Sequence, residues 1–167
     1  KHGLAIIYDA AHAFGVRYKS RSILEYGDAS MVSLHATKLM HTVEGGFVIA
    51  RETEVADKIE WMRRFGHKGT EAFHGVGINA KLSELHAAMG LCNMRYLSEI
   101  LEKRKVACDA YDQALFGQGE NSLTPLRMRE ATSWNYSYYP VLFESEKSLL
   151  QALAYLQHRN INPRRYF

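Results

Sequence analysis

Hydrophobic and polar positions follow two rhythms along this chain, and each change of rhythm marks an element. A compact apolar run, Leu4 to Tyr8, ends at Asp9 and gives way to small residues from Ala10 to Gly15. That pattern predicts a buried parallel strand opening at its carboxyl end into a loop. Two more short strands are predicted over residues 29–34 and 47–50, the second following Gly45-Gly46. From Thr53 the period becomes helical: Val55, Ile59 and Met62 share a face, Thr53 can cap the start, and Gly66 ends it. Residues 66–77 have no period and read as a loop. Residues 79–116 are strongly helical, with apolar positions at Leu82, Leu85, His86, Met89, Leu97, Ile100, Leu101, Val106 and Leu115, and with Asn79 available as N-cap. Gly117-Gln118-Gly119 breaks that helix. A strand over residues 136–143 and a helix over residues 144–158 close the chain.

Strands and helices in alternation make this an α/β chain. The shift of composition near residues 115–120 divides it into a first part, 1–115, and a small α/β part, 116–167. Hydrophobic residues make up 47% of the 167 and charged residues 23%, which supports a core and excludes disorder. The net charge of +3 is spread among acids, so charge gives no reason to expect a nucleic-acid partner. The basic cluster from Arg159 to Arg165 reads as a solvated chain end. Cys92 and Cys108 lack metal-type spacing, and their setting points to a reducing cytoplasm rather than a disulfide framework. No apolar run approaches the roughly 20 residues of a membrane span, and no signal peptide opens the chain. The chain begins at Lys1-His2-Gly3 and stops at Arg165-Tyr166-Phe167, so both ends are expected to be cuts in a longer protein.

In open α/β sheets functional groups collect where strands end. Asp9 stands at one such end, and Ser33, His35 and Lys38 follow another. A lysine amine is a good nucleophile when desolvated or placed beside other cations, and then condenses with an aldehyde. Pyridoxal phosphate is the commonest aldehyde cofactor. It needs an acid at its ring nitrogen and hydroxyl or backbone N–H donors at its phosphate. Asp9, Lys38 and Ser33 offer these parts in a workable order. Each also has a plainer reading: Asp9 caps a loop or pairs with Arg17, Ser33 ends a strand, and Lys38 is solvated. His12 and His35 read equally as packed or loop histidines. His41, His67 and His74 read as surface residues, His86 as packed, and Trp61, Trp134 and Tyr136 to Tyr139 as core.

The strings YDAAHAFG, GDASMVSLHATK, EGGFV, MRRFGHKG and GINAKLSELHAAMGL occur here in that order. Together they resemble the DegT/DnrJ/EryC1/StrS family of PLP-dependent sugar aminotransferases, from Ala5 to about Ala114 with a looser tail. The resemblance implies a partial PLP-dependent transferase fold of the aspartate aminotransferase type (fold type I). Residues 1–115 would form the C-terminal part of the large domain with its connecting helices, and 116–167 part of the small domain. It also implies a homodimer with an active site shared between subunits. Lys38 matches the lysine that carries pyridoxal 5'-phosphate covalently and moves protons, and Asp9 the acid at the pyridine nitrogen. His12 stands where the family has Gln or His near the phenolic oxygen. Ser33 matches a phosphate-binding hydroxyl, His35 a supporting position, and Asn79 a contact to the neighbouring subunit's phosphate. Gly77-Ile78-Asn79-Ala80-Lys81 departs from the family's Gly-Tyr-Asn-Tyr-Arg, keeping a charge but losing a two-pronged fork. Other phosphate contacts and the ring-stacking aromatic are expected outside this chain.

The activity so implied is transfer of an amino group from glutamate or glutamine to a nucleotide-linked keto sugar. Its product would serve lipopolysaccharide, other surface polysaccharide or antibiotic assembly. Two alternatives are a PLP-dependent sugar dehydratase, in which histidine replaces the lysine, and a non-catalytic regulatory protein of the same fold. Lys38 favours transamination over dehydration.

Overall fold

The computed structural model describes residues 2–117 and 122–166, so the expected break at Gln118-Gly119 lies outside the described residues. In chain order the elements are β1 (Ile7–Asp9), β2 (Arg17–Tyr18), β3 (Arg21–Ser22), a 3-10 turn (Ile23–Glu25), β4 (Ala29–Ser33), β5 (Gly46–Ala50) and α1 (Thr53–Met62). There follow β6 (His67–Lys68), β7 (Ala72–Phe73), α2 (Glu84–Met94), α3 (Leu97–Phe116), β8 (Leu123–Pro125), β9 (Thr132–Ser133), β10 (Val141–Phe143) and α4 (Glu146–Gln157). They fall into two compact units, Lys1–Lys103 with Arg129–Ser137, and Arg104–Met128 with Tyr138–Phe167.

The first unit is built on a three-stranded sheet in the order β1-β4-β5. β1 runs parallel to β4 with Asp9 opposite Met31, and β5 runs antiparallel to β4 with Ser33 opposite Gly46. Side chains alternate across a strand, and here the alternation separates a covered face from an open one. Ser30 and Val32 are buried on one face, where Val32 joins Ala10 and Leu24 in a core flanked by Ala13, Phe14, Ile23 and Phe47. Ile7, Met31 and Val48 occupy the other face and remain exposed. The expected buried strand over residues 4–8 is therefore corrected on two counts. Its pairing starts only at Ile7, because the Ile6 amide is taken by the Asp28 carboxylate. It is also an edge strand with its side chains largely open to solvent, since an apolar run signals burial only where layers cover both faces.

Helix signals were displaced by backbone pairing elsewhere. Thr53 lies inside α1, whose N-cap is Glu52 and carries no side-chain cap bond. The stretch read as a loop forms a hairpin, β6 against β7. Asn79 does not cap α2: it forms an antiparallel bridge with Arg64, and the Ala80 amide donates to the Arg63 carbonyl. That extended pairing delays the helix until Ser83, whose hydroxyl accepts from the His86 amide at 3.3 Å. The His86 ring stays with this cap, Nδ1 lying 3.0 Å from Ser83 Oγ. The single long helix expected over residues 79–116 is thus two, α2 and α3, separated at Arg95-Tyr96.

In the second unit β8 pairs antiparallel with β10, Leu123 opposite Phe143, and Ser145 caps α4 by accepting from the Ser148 amide at 3.2 Å. The last strand, expected from residue 136, begins at Val141: Tyr136 adopts φ 53°, a left-handed conformation incompatible with a strand, and the Ser137 amide is taken by the Asn135 side chain. Tyr139 donates to Asp112 Oδ1 at 2.5 Å and stacks on Tyr111 with centroids 5.0 Å apart. Burial first, and Asp112 second, push the Tyr139 phenol well above its usual range.

Candidate active site

Because β1 and β4 are parallel neighbours, Asp9 and Ser33 end their strands at the same edge of the sheet. Asp9 is exposed, and its Oδ1 accepts from the Ala11 amide at 3.1 Å. The alternative partner, Arg17, instead donates to the Ser20 carbonyl at 3.1 Å. Beyond Asp9 the chain turns, Ala13 N–H bonding the Ala10 carbonyl at 2.9 Å, and presents His12. Beyond Ser33 it turns again, Lys38 N–H bonding the His35 carbonyl at 2.9 Å. The two turns meet: Lys38 Nζ lies 2.8 Å from His12 Nε2. This contact between an amine and an imidazole joins two residues that the sequence singled out separately.

His35 and Ser33 hold the second turn in shape. The His35 amide donates to Ser33 Oγ at 3.3 Å, its Nδ1 lies 2.8 Å from Thr37 Oγ1, and its Nε2 lies 3.5 Å from Glu44 Oε1. The floor beneath is apolar, with Leu34, Leu39 and Met40 buried. Thr42 is buried too, and its hydroxyl donates to the Glu44 carbonyl at 2.8 Å. Helix α2 supports this floor from outside. Gly90 is buried against Thr42, and Asn93 Nδ2 donates to the His41 carbonyl at 2.9 Å. A second support comes from far along the chain: buried Asn135 donates to the carbonyls of His12 at 2.9 Å and Phe14 at 2.8 Å. Neither asparagine has a spacing signal in the sequence, because each acts on backbone carbonyls.

Asn79 is placed differently. It is exposed beside Arg64, and its side-chain oxygen accepts from Lys81 Nζ at 2.5 Å, while the same ammonium sits 4.2 Å from the Phe65 ring centre. The structure therefore brings Asp9, His12, Ser33, His35 and Lys38 to the two adjoining turns, whereas Asn79 occupies a separate segment. A primary amine beside an imidazole, with a carboxylate and a hydroxyl at the same sheet edge, is a donor set that fits an aldehyde cofactor bearing a basic ring nitrogen and a phosphate.

The solved structure of DesI in the presence of its TDP-sugar product covers 99% of this chain with a TM-score of 0.87 at 28% identity. That of Helicobacter pylori PseC, an aminotransferase involved in the biosynthesis of pseudoaminic acid, covers 95% with a TM-score of 0.82 at 26% identity. This chain covers 43% and 44% of those two chains, so its class is a partial PLP-dependent sugar aminotransferase fold. The chain belongs to the DegT/DnrJ/EryC1/StrS aminotransferase family, whose pattern matches residues 1–167. The dTDP-4-amino-4,6-dideoxy-D-glucose transaminase of Shigella dysenteriae is 38% identical over 170 residues, covering 100% of this chain and 46% of that protein. The Escherichia coli transaminase of the same name is 32% identical over 169 residues. The chain spans about half the length of these curated relatives.

Proposed function

We propose that this chain forms part of a PLP-dependent aminotransferase that transfers an amino group from glutamate or glutamine to a nucleotide-linked keto sugar. The observation that carries the reading is the Lys38–His12 contact at the sheet edge where Asp9 and Ser33 end their strands. Lys38 Nζ would hold pyridoxal 5'-phosphate covalently, Asp9 would pair with its ring nitrogen, and Ser33 would bind its phosphate. Bound there, the cofactor supplies an electron sink for proton exchange at carbon. Lys38 acts as the acid–base group, and His12, within hydrogen-bond reach of Nζ, takes or returns the proton that Nζ must lose to become nucleophilic. His35 acts through the turn, tying Ser33 to Glu44 and keeping Lys38 aimed.

Family membership and the dTDP- and UDP-sugar transaminases among the relatives support the substrate class. On the same reading the enzyme is a cytoplasmic homodimer serving polysaccharide or lipopolysaccharide assembly, and Asn79 reaches the partner copy's cofactor phosphate. Residues 1–115 would belong to its large domain and 116–167 to its small one. Among the described residues no helix is long and apolar enough to cross a membrane.

The test is to add pyridoxal phosphate to the longest native polypeptide that carries this chain, reduce with borohydride and map the labelled peptide. Label on Lys38, absent from Lys38→Ala and prevented when glutamate or glutamine is added before the borohydride, supports the proposal. Label elsewhere, or none, overturns it.

A further inference from the structure

We propose that Asn135 is a positioning residue for the His12–Lys38 pair. It lies 123 residues from His12 in sequence, yet both of its amide hydrogens are spent on that loop, on the carbonyls of His12 and Phe14. Its oxygen is used as well, accepting from the Ser137 amide at 3.1 Å. At 2% exposure the side chain is sealed from water. A primary carboxamide is the side chain of this size that offers two donors on one prong and an acceptor on the other. The strand β9 delivers it there by pairing with β2, Arg17 opposite Ser133 and Tyr18 opposite Thr132. Trp134 and Tyr136 flank it with ring centres 4.9 Å apart, and Tyr136 keeps the uncommon φ of 53°.

The carbonyls of His12 and Phe14 bracket the turn that aims the imidazole. With both fixed, the direction of the His12 side chain is restricted, and its Nε2 stays within reach of Lys38 Nζ. Displacing a reacting group by about 1 Å can cost on the order of a hundredfold in rate, so a clamp on the carrying backbone bears directly on the amine. The inference rests on the proposed role of Lys38 as the cofactor-holding lysine.

The test is a double-mutant cycle on the second-order rate at which Lys38 captures pyridoxal phosphate, trapped with borohydride and counted by mass spectrometry. Asn135→Asp keeps the shape but turns a carboxylate oxygen toward two carbonyl oxygens. It is expected to slow capture about tenfold in the native background and less than twofold in His12→Gln, since Asn135 acts through His12. Should Asn135→Asp fail to fold by tryptophan fluorescence, Asn135→Ser, which keeps one donor, enters the same cycle with the same expectation. Equal factors in the two backgrounds would mark a structural role and overturn the inference. So would an unchanged rate in a folded variant. If the unsubstituted protein captures nothing at Lys38, the proposed function fails and this inference with it; capture indifferent to Asn135 sinks the inference alone.

Discussion

Replacing Gly90 with alanine sets two ordinary rules against each other. Gly90 lies in the interior of α2, where alanine is favoured over glycine by about 0.8–1.0 kcal/mol. A Cβ there would stand 2.7 Å from Thr42 Cγ2, with Met40 Cε next at 3.7 Å. Thr42 cannot yield cheaply. Its branched side chain is stiff about χ1, and rotating it gives up the bond from its hydroxyl to the Glu44 carbonyl. Overpacking of this kind costs about 1–3 kcal/mol and the buried hydrogen bond about 1 kcal/mol, not both in full since relieving one incurs the other. The clash wins, and Gly90→Ala is expected to destabilise the first unit by about 1–2 kcal/mol.

The same distances specify a control that reverses the sign. Thr42→Ser removes Cγ2 and keeps the hydroxyl, leaving the new Cβ in ordinary van der Waals contact. In that background Gly90→Ala should stabilise by about 0.5–1 kcal/mol, the helix-propensity gain alone. Urea unfolding followed by tryptophan emission reads the relevant unit, because both tryptophans, Trp61 and Trp134, lie in it. If Lys38 is the cofactor-holding lysine, as proposed, Gly90→Ala should also slow cofactor capture there, since the Thr42 amide closes the segment that carries Lys38 by bonding the Leu34 carbonyl at 2.9 Å. A stabilising Gly90→Ala in the native background, or equal effects in both backgrounds, would refute the reasoning.

Two further substitutions test other parts of the account. Val43 holds φ 70° in the turn between Thr42 and Glu44, a conformation that costs a β-branched residue about 1–2 kcal/mol. Val43→Gly should therefore raise the urea midpoint by the equivalent of about 1 kcal/mol, and a lower midpoint would show that Val43 makes a packing contribution larger than the strain. Tyr139→Phe removes the bond to Asp112 and should cost about 1 kcal/mol. Folding raises the Tyr139 pKa, so its contribution is complete below the ordinary tyrosine value of about 10 and is lost as pH rises beyond it. The stability profile of Tyr139→Phe, followed by circular dichroism, should accordingly fall less steeply above about pH 10 than that of the native chain; parallel profiles would contradict the assignment.

That Asp9, Ser33, His35 and Lys38 gather at one edge of the sheet could be read from the short apolar runs that mark strand ends, whereas their proposed link to a cofactor rests on the order of the motif strings and not on spacing. The contact between His12 and Lys38 was not legible, although both residues were, because it depends on two turns meeting across a parallel strand pair. Boundaries failed where backbone pairing from elsewhere decided them. Asn79 and Ser83 are both good caps by type, and the bridge from Asn79 to Arg64 gave the role to Ser83. Burial of β1 failed for a related reason: an apolar run signals affinity for a cover without saying which faces receive one. The result is that of two neighbouring strands one carries Ile7 at 72% exposure and the other Val32 at 2%.

The supports that escaped the sequence have a chemistry in common. Asn135 and Asn93 bond backbone carbonyls, Gly90 makes room for Thr42, and the Gly45 carbonyl accepts from Leu34 N–H at 2.8 Å. Each acts on the path of the main chain, and the main chain sets where the side chains of His12 and Lys38 point. The proposed reacting groups lie in motif strings close together in sequence, whereas the groups that would aim them are defined by distance in space. Substitutions in the two sets should accordingly differ in kind. On the proposed reading, losing Lys38 would remove the anchor itself, while losing Asn135 would leave the amine and the imidazole in place and change how often they meet.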